Sequence, residues 1–282
     1  MFPMKNIHLL IIDPQNDFCD LPDKYLPFDS NGNQTLPQLP VPGAHADMQR
    51  LAAFIRANPT NIQGMTITLD SHHAYGIERP SFWLTADGQT ISPFTQVTAA
   101  DVKASTYLPR HAEHIAHSID YLEQLESAGR YTHMVWPAHC EIGTWGHNIH
   151  ADVRHACSEW EVARGRAVNQ VFKGINPLVE HYSAIRAEVI DPNDPSTDIN
   201  HKLLNSWDDV DVLLIAGEAG SHCVKSTVEH IIEYRTSLHP IQIVLLTDCM
   251  SPVSGFDASY QSFLGKMLMA GVLTTTSTSY RF

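Results

Sequence analysis

Along the chain, short apolar runs rich in Ile, Val and Leu alternate with longer stretches whose apolar residues recur at helical spacing. Unbroken apolar runs of strand length read as strands buried on both faces, and the amphipathic stretches between them as helices that cover those faces. Strands are expected at 7–12, 62–69, 132–136, 167–172, 210–216 and 241–247, with a weak last one after Gly271. Helices are expected at 44–57, 110–127, 147–163, 222–235 and 258–270, bounded by signals at Gly43, Gly129, Gly165, Pro240 and Gly271. The pattern describes one α/β domain spanning 1–282, built on a mostly parallel six-stranded sheet with helices on both faces. Insertions are expected around 20–42 and 81–109. Loops that long form lids or contacts between copies, so a homo-oligomer is expected.

Ligands of open parallel sheets lie beyond the carboxyl ends of the strands. Asp13 follows the first expected strand in IIDPQNDF, and Asp70 and His72 follow the second in LDSHH. The third leads through WPAHC to His139, the fourth to Lys173 in VFKG, and the fifth to Cys223 in GEAGSHC. Such groups on one rim suit a nucleophile with its acid–base partners beside a metal site. Cys223 comes where a buried strand passes through glycines into a helix, and the helix dipole and a nearby lysine would lower its thiol pKa toward neutrality. The alternative is a small hydrophobe tucked under the helix. Asp13, half desolvated before Pro14, could take the thiol proton, or could serve only as a turn former. Lys173 could favour the thiolate, or could be a solvated strand end.

Asp70, His72 and His139 can form one face of a metal site with open positions, the arrangement of a working metal. His73 could replace His72, and Glu78 is a possible fourth ligand. His111, His114 and His117 are expected on a solvated helix face, and so are His147, His150 and His155.

A formal charge of −13 excludes a clustered basic surface for nucleic acid or anionic membrane. A small neutral or anionic metabolite remains compatible with it. The apolar run near the N-terminus is too short to span a bilayer and lacks a signal-peptide cleavage pattern, so a cytoplasmic location is expected. Five cysteines without a CxxC pair form neither a disulfide framework nor a cysteine-rich zinc module.

At these residues the chain resembles the nicotinamidase/isochorismatase-like cysteine hydrolases, and the nicotinamidases in particular. IIDPQNDFC is similar to the opening strand with its catalytic Asp, TLDSHH to the metal motif, and WPAHCEIGTWG to the WPxHC segment. VFKG is similar to the catalytic Lys segment and GEAGSHCV to the nucleophile loop, while YSAI at 182–185 and LLTDCMS at 245–251 also fit.

The resemblance implies an isochorismatase-like fold and a triad of Asp13, Lys173 and Cys223. It implies an oxyanion hole from the amides of Ala219 and Cys223, with a cis peptide between Glu218 and Ala219. Asp70, His72 and His139 would hold a divalent metal, zinc first, with iron or manganese as alternatives. Phe18 and Trp136 would line the substrate ring pocket. The implied activity is hydrolysis of nicotinamide, or a closely related small carboxamide, through a cysteine thioester, a step of NAD metabolism. Alternatives are hydrolysis of a carbamoyl or ureido compound on the same scaffold, or a non-catalytic metal-dependent binding homologue. Two departures stand out. GIERPSF replaces a stretch that often carries a second His, putting Glu78 and Arg79 there, and the span from Asp70 to Trp136 is unusually long.

Overall fold

The computed structural model describes residues 5–237 and 239–282. In chain order the strands are β1 (Ile7–Ile12), β2 (Gly64–Asp70), β3 (Trp83–Thr85), β4 (Thr95–Gln96), β5 (Tyr107–Pro109), β6 (Met134–Val135), β7 (Asn169–Lys173), β8 (Val212–Gly217), β9 (Gln242–Leu246) and β10 (Leu273–Thr275). The α-helices are α1 (Ala44–Ala57), α2 (Ala99–Lys103), α3 (Ile115–Ala128), α4 (Ala151–Arg164), α5 (His201–Asn205), α6 (Cys223–Tyr234) and α7 (Asp257–Met269). Among the described residues no helix is long and apolar enough to cross a membrane.

Six strands form the central sheet in the order β10-β9-β8-β1-β2-β7, with every pairing parallel. The middle strands read IHLLII and VLLIAG because both their faces are covered, and β8 is buried throughout. Each fully buried Leu or Ile of these strands stabilises the fold by about 1.5–3 kcal/mol. From β1 the chain crosses through α1 to β2, whereas from β8 it crosses through α6 to β9 in the opposite direction. Right-handed crossovers then put α1 and α6 on opposite faces. The reversal lies between β1 and β8, so the crevice beyond their carboxyl ends is where a ligand is received.

The 132–136 segment is not a strand of this sheet. Its β6 residues pair antiparallel with β4, Val135 opposite Thr95 and Met134 opposite Gln96. Neighbouring backbone groups are also taken outside the sheet: Phe94 N donates to Val135 O at 2.6 Å and Trp136 N to Glu78 O at 2.7 Å. Apolar patterning signals a buried strand without saying which partner takes its hydrogen bonds. The sixth place belongs to β10, the strand expected only weakly. A second apolar cluster joins the 81–109 region, through Phe82, Trp83 and Val97, to Tyr121 and Leu122 of α3 and Val135 of β6. Helix α4 begins at Ala151 rather than 147, because residues before it are bonded to the β1 exit loop: Asn16 N donates to Asn148 O at 2.9 Å and His150 N to Pro14 O at 2.7 Å. His150 instead caps α4, its Nδ1 accepting from Asp152 N at 3.2 Å. His147 and His150 are buried rather than solvated.

Gly217 ends β8 with φ +121°, and a Cβ there would lie 2.0 Å from Ile12 O. Only glycine lets the ends of β1 and β8 approach so closely. Gly217→Ala is therefore expected to destabilise the fold by about 3 kcal/mol. Gly88→Ala, at φ +80° with nothing within 4 Å of its Cβ, should lose only about 1 kcal/mol. Denaturant unfolding of both variants checks the difference.

Candidate active site

Cys223 is the first residue of α6 and is buried. Ala219 lies in the same turn, and its peptide with Glu218 is cis. Among the described residues the Ala219 and Cys223 amides donate to no protein acceptor, as expected of N–H groups at a helix start. The thiol does not have the lowered pKa expected from its position. Burial pushes it well above the ordinary value, and although Lys173 pulls it down, Asp13 and Asp70 push it up further. With its pKa raised, the resting group is a thiol, and its sulfur lies within reach of the Lys173 ammonium.

Asp13 is fully buried and holds φ +42°, a sparsely populated conformation for any residue but glycine. Thr68 fixes it twice, its hydroxyl donating to Asp13 Oδ1 at 2.5 Å while Asp13 N lies 3.1 Å from Thr68 Oγ1. Burial raises the Asp13 pKa, and Lys173 restrains that rise. Lys173 Nζ lies 2.9 Å from Asp13 Oδ2, 2.8 Å from Asp70 Oδ1 and 3.5 Å from Cys223 Sγ, and donates to His181 O at 3.2 Å. Burial works against its charge, but Asp13 and Asp70 outweigh burial and hold its pKa well above the ordinary value.

Asp70, His72 and His139 bring one ligand atom each to within 4.8 Å of one another. His72 Nε2 lies 2.9 Å and His139 Nε2 3.2 Å from Asp70 Oδ2. Each ring is held from behind: His139 Nδ1 donates to Pro137 O at 2.7 Å, and His72 Nδ1 meets Glu78 Oε1 at 3.2 Å. Such outer partners fix the tautomer that offers Nε2 to a cation. Burial disfavours a charge on His72, yet Asp70 and Glu78 outweigh it and raise its pKa to about 10, as a field built for a cation should. The donor set and its backing fit a divalent metal. Glu78 is not brought into this cluster as a fourth ligand. It stands behind His72, paired with the buried Arg79 at 3.0 Å, and Arg79 in turn donates to His139 O. The two residues of the GIERPSF departure thus support one ligand each.

Phe18, Leu39, Trp136, Tyr182 and Val253 wall a pocket that Cys223, Ala219, Asp70 and His139 also line. Phe18 and Trp136 thus line one pocket together with Cys223. His222 and Glu180 line it as well, and neither was anticipated. Burial lowers the His222 pKa to about 3, so its ring is neutral, and burial raises that of Glu180 to about 8. Gln15 and Asp17 were missed although they fall inside IIDPQNDF. The Gln15 amide donates to Asp70 O and accepts from Asp70 N, both at 2.8 Å, and Asp17 Oδ2 accepts from Cys140 N at 2.7 Å beside His139. A polar residue inside an otherwise buried strand-exit loop was the signal for both.

Neither a protein-family model nor any curated protein matches the chain. Solved structures do. A nicotinamidase/pyrazinamidase from Acinetobacter baumannii is 17% identical, with 99% of each chain covered and a TM-score of 0.63. A pyrazinamidase from Pyrococcus horikoshii in complex with zinc is 16% identical, with 97% of this chain and 99% of that one covered and a TM-score of 0.52. An isochorismatase family protein from Desulfovibrio vulgaris is 16% identical over 98% of this chain and 96% of its own, with a TM-score of 0.53. With its parallel sheet matched nearly end to end in these structures, the chain has the isochorismatase-like α/β fold, which the nicotinamidases share.

Proposed function

We propose that the chain is a cysteine amidohydrolase that converts nicotinamide, or a closely related small aromatic carboxamide, to the acid and ammonia. The observation that carries this reading is the contact of one buried lysine with Asp13, Asp70 and Cys223 at the edge of an aromatic pocket. An isolated buried ammonium or thiol would be a liability. Joined to a base and facing a closed pocket, they form the nucleophile–base arrangement of covalent catalysis.

Cys223 passes its proton to Asp13 as sulfur attacks the carboxamide carbon, since the resting thiol must lose that proton to react. The free amides of Ala219 and Cys223 receive the oxyanion, and each donor of such a hole is worth about 3 kcal/mol. Asp13 then gives the proton to the departing nitrogen, which leaves as ammonia. A thioester remains on Cys223. Asp13 takes a proton from the incoming water, and returns it to sulfur as the acid is released. Lys173 keeps its proton throughout and steadies whichever of Asp13 or Cys223 carries the negative charge. Asp70, His72 and His139 would hold a divalent metal, which supplies a Lewis-acidic docking point for a ring nitrogen. Phe18 and Trp136 offer apolar surface to the ring.

Release of ammonia from nicotinamide tests the reading, with a panel of small amides and carbamoyl compounds beside it. Cys223→Ala should abolish release with the fold intact, and Asp13→Asn should lower turnover by about two to four powers of ten. Full activity in Cys223→Ala sinks the proposal.

Lys173→Met should raise the Cys223 pKa further, because a neighbouring cation favours the thiolate. Iodoacetamide labelling of Cys223 should then shift to higher pH in the variant. Superimposable labelling curves would remove Lys173 from this role.

Elemental analysis of the purified protein should find a stoichiometric divalent metal. His139→Ala should weaken its retention by more than about tenfold, a typical result of losing one ligand or its support. Metal-free wild-type protein would overturn this part.

A further inference from the structure

Glu218 immediately precedes the Ala219 amide, and its fully buried side chain points to α1 and to the segment after β9. Its Oε2 accepts from Ser251 N at 3.1 Å. Its Oε1 is buried and meets no donor, and the Asp47 carboxylate of α1 is held beside it by the same residue, Ser251, which donates to both side chains. Two carboxylate oxygens can share a hydrogen bond only if one of them carries a proton. Asp47 is itself engaged, with Oδ2 accepting from Ser251 Oγ at 2.6 Å and Oδ1 paired to Arg50, which reaches on to Asp248 O at 2.5 Å. Ser251 also accepts from Gly220 N at 2.8 Å, and Cys249 O accepts from Gly217 N at 2.9 Å. Helix α1, the 248–251 segment and the nucleophile turn are therefore joined at one point, and the Glu218–Asp47 contact closes it.

We propose that Glu218 and Asp47 share a single proton, and that this carboxyl–carboxylate hydrogen bond positions the 217–223 turn that presents the Ala219 and Cys223 amides. Glu218 acts through the backbone of that turn and touches no reacting atom, so it is a positioning residue. The consequence for an oxyanion hole rests on the amidohydrolase reading above. The proton lock itself does not.

The surroundings favour keeping the proton on Glu218. Burial raises its pKa well above the ordinary carboxylate value, and Asp47 and Asp20 raise it further. Burial also raises Asp47, but Ser251 and Arg50 hold it down. The other titratable groups facing the pair are Cys19 from the β1 exit loop, Tyr260 of α7 and Cys249 after β9, none of which supplies a positive charge. Arg50 is the one cation on the pair and is committed to Asp47. A group whose folded pKa is raised contributes stability that is complete below its unfolded pKa and is lost as pH rises through the folded value. The lock should therefore hold at low pH and open as pH rises through the raised Glu218 pKa.

Glu218→Gln replaces the shared proton with an amide N–H that does not titrate. Hydrogen exchange of the 217–223 peptide, corrected for intrinsic rates, and thermal unfolding should be followed for wild type and variant as pH is raised. In the wild type, protection of the turn should fall by about tenfold as the lock opens, while the variant keeps its protection. The Tm of the variant should gain about 2–4 °C on the wild type over the same range. Ammonia release by the wild type should lose its alkaline activity earlier than the variant, a readout that a merely structural contact would not move. Identical pH dependences of Tm overturn the shared proton. A pH-dependent Tm difference without any change in turn protection overturns the positioning role. Neither measurement needs substrate, so failure of the amidohydrolase reading would appear separately, in the nicotinamide assay.

Discussion

The site depends on the burial of the Lys173 ammonium between two carboxylates. Removing a charge from water is expensive, and an unpaired ammonium in this interior would simply lose its proton. Asp13 at 2.9 Å and Asp70 at 2.8 Å prevent that, and they come from the ends of β1 and β2, the two strands next to each other on one side of the sheet reversal. Lys173 itself ends β7, whose register sets it directly opposite Asp70. The ammonium thus ties Asp13 and Cys223 to the Asp70–His72–His139 cluster. Asp70 serves both, with one oxygen toward the lysine and the other toward the two histidines.

The same logic extends outward. Glu78 meets His72 and Arg79, and Arg79 meets the carbonyl of His139, so each buried charge has an opposite charge or a carbonyl beside it. Side chains tied on two sides lose little further freedom when a ligand arrives, which is what a pre-organised site requires.

Much of this was legible in the sequence because the chemistry lies at strand ends. Buried parallel strands are continuous apolar runs, so the polar residue at the end of each is conspicuous: Asp13, Asp70 and, after a short turn, Cys223, whereas Lys173 ends the half-exposed edge strand NQVFK. The strand carrying WPAHC was placed in the wrong sheet, since its partner lies in an irregular region with no period to read. The Cys223 pKa was expected to fall, because a sequence reveals the helix start and the lysine but not the depth of burial, which here outweighs both. Glu78 stood only as a possible fourth ligand, since a sequence does not show which nitrogen of a histidine a carboxylate meets. Only geometry shows that it faces the far nitrogen of His72. Glu180 and His222 gave no signal, since neither falls at a spacing that separates pocket from core.

The pairing of β6 with β4 divides the site by origin. Asp13, Asp70, Lys173 and Cys223 are delivered by the sheet or the turn that leaves it, whereas Trp136 and His139 follow a strand whose hydrogen bonds come from the 81–109 region. That region shares an apolar cluster with α3, β6 and residues 179–189. The first four thus rest on the central sheet, while Trp136 packs into the main core from a strand paired outside that sheet. Over evolutionary time the segment bearing Trp136 and His139 can therefore shift with its outlying strand partner while the register of the central sheet stays as it is.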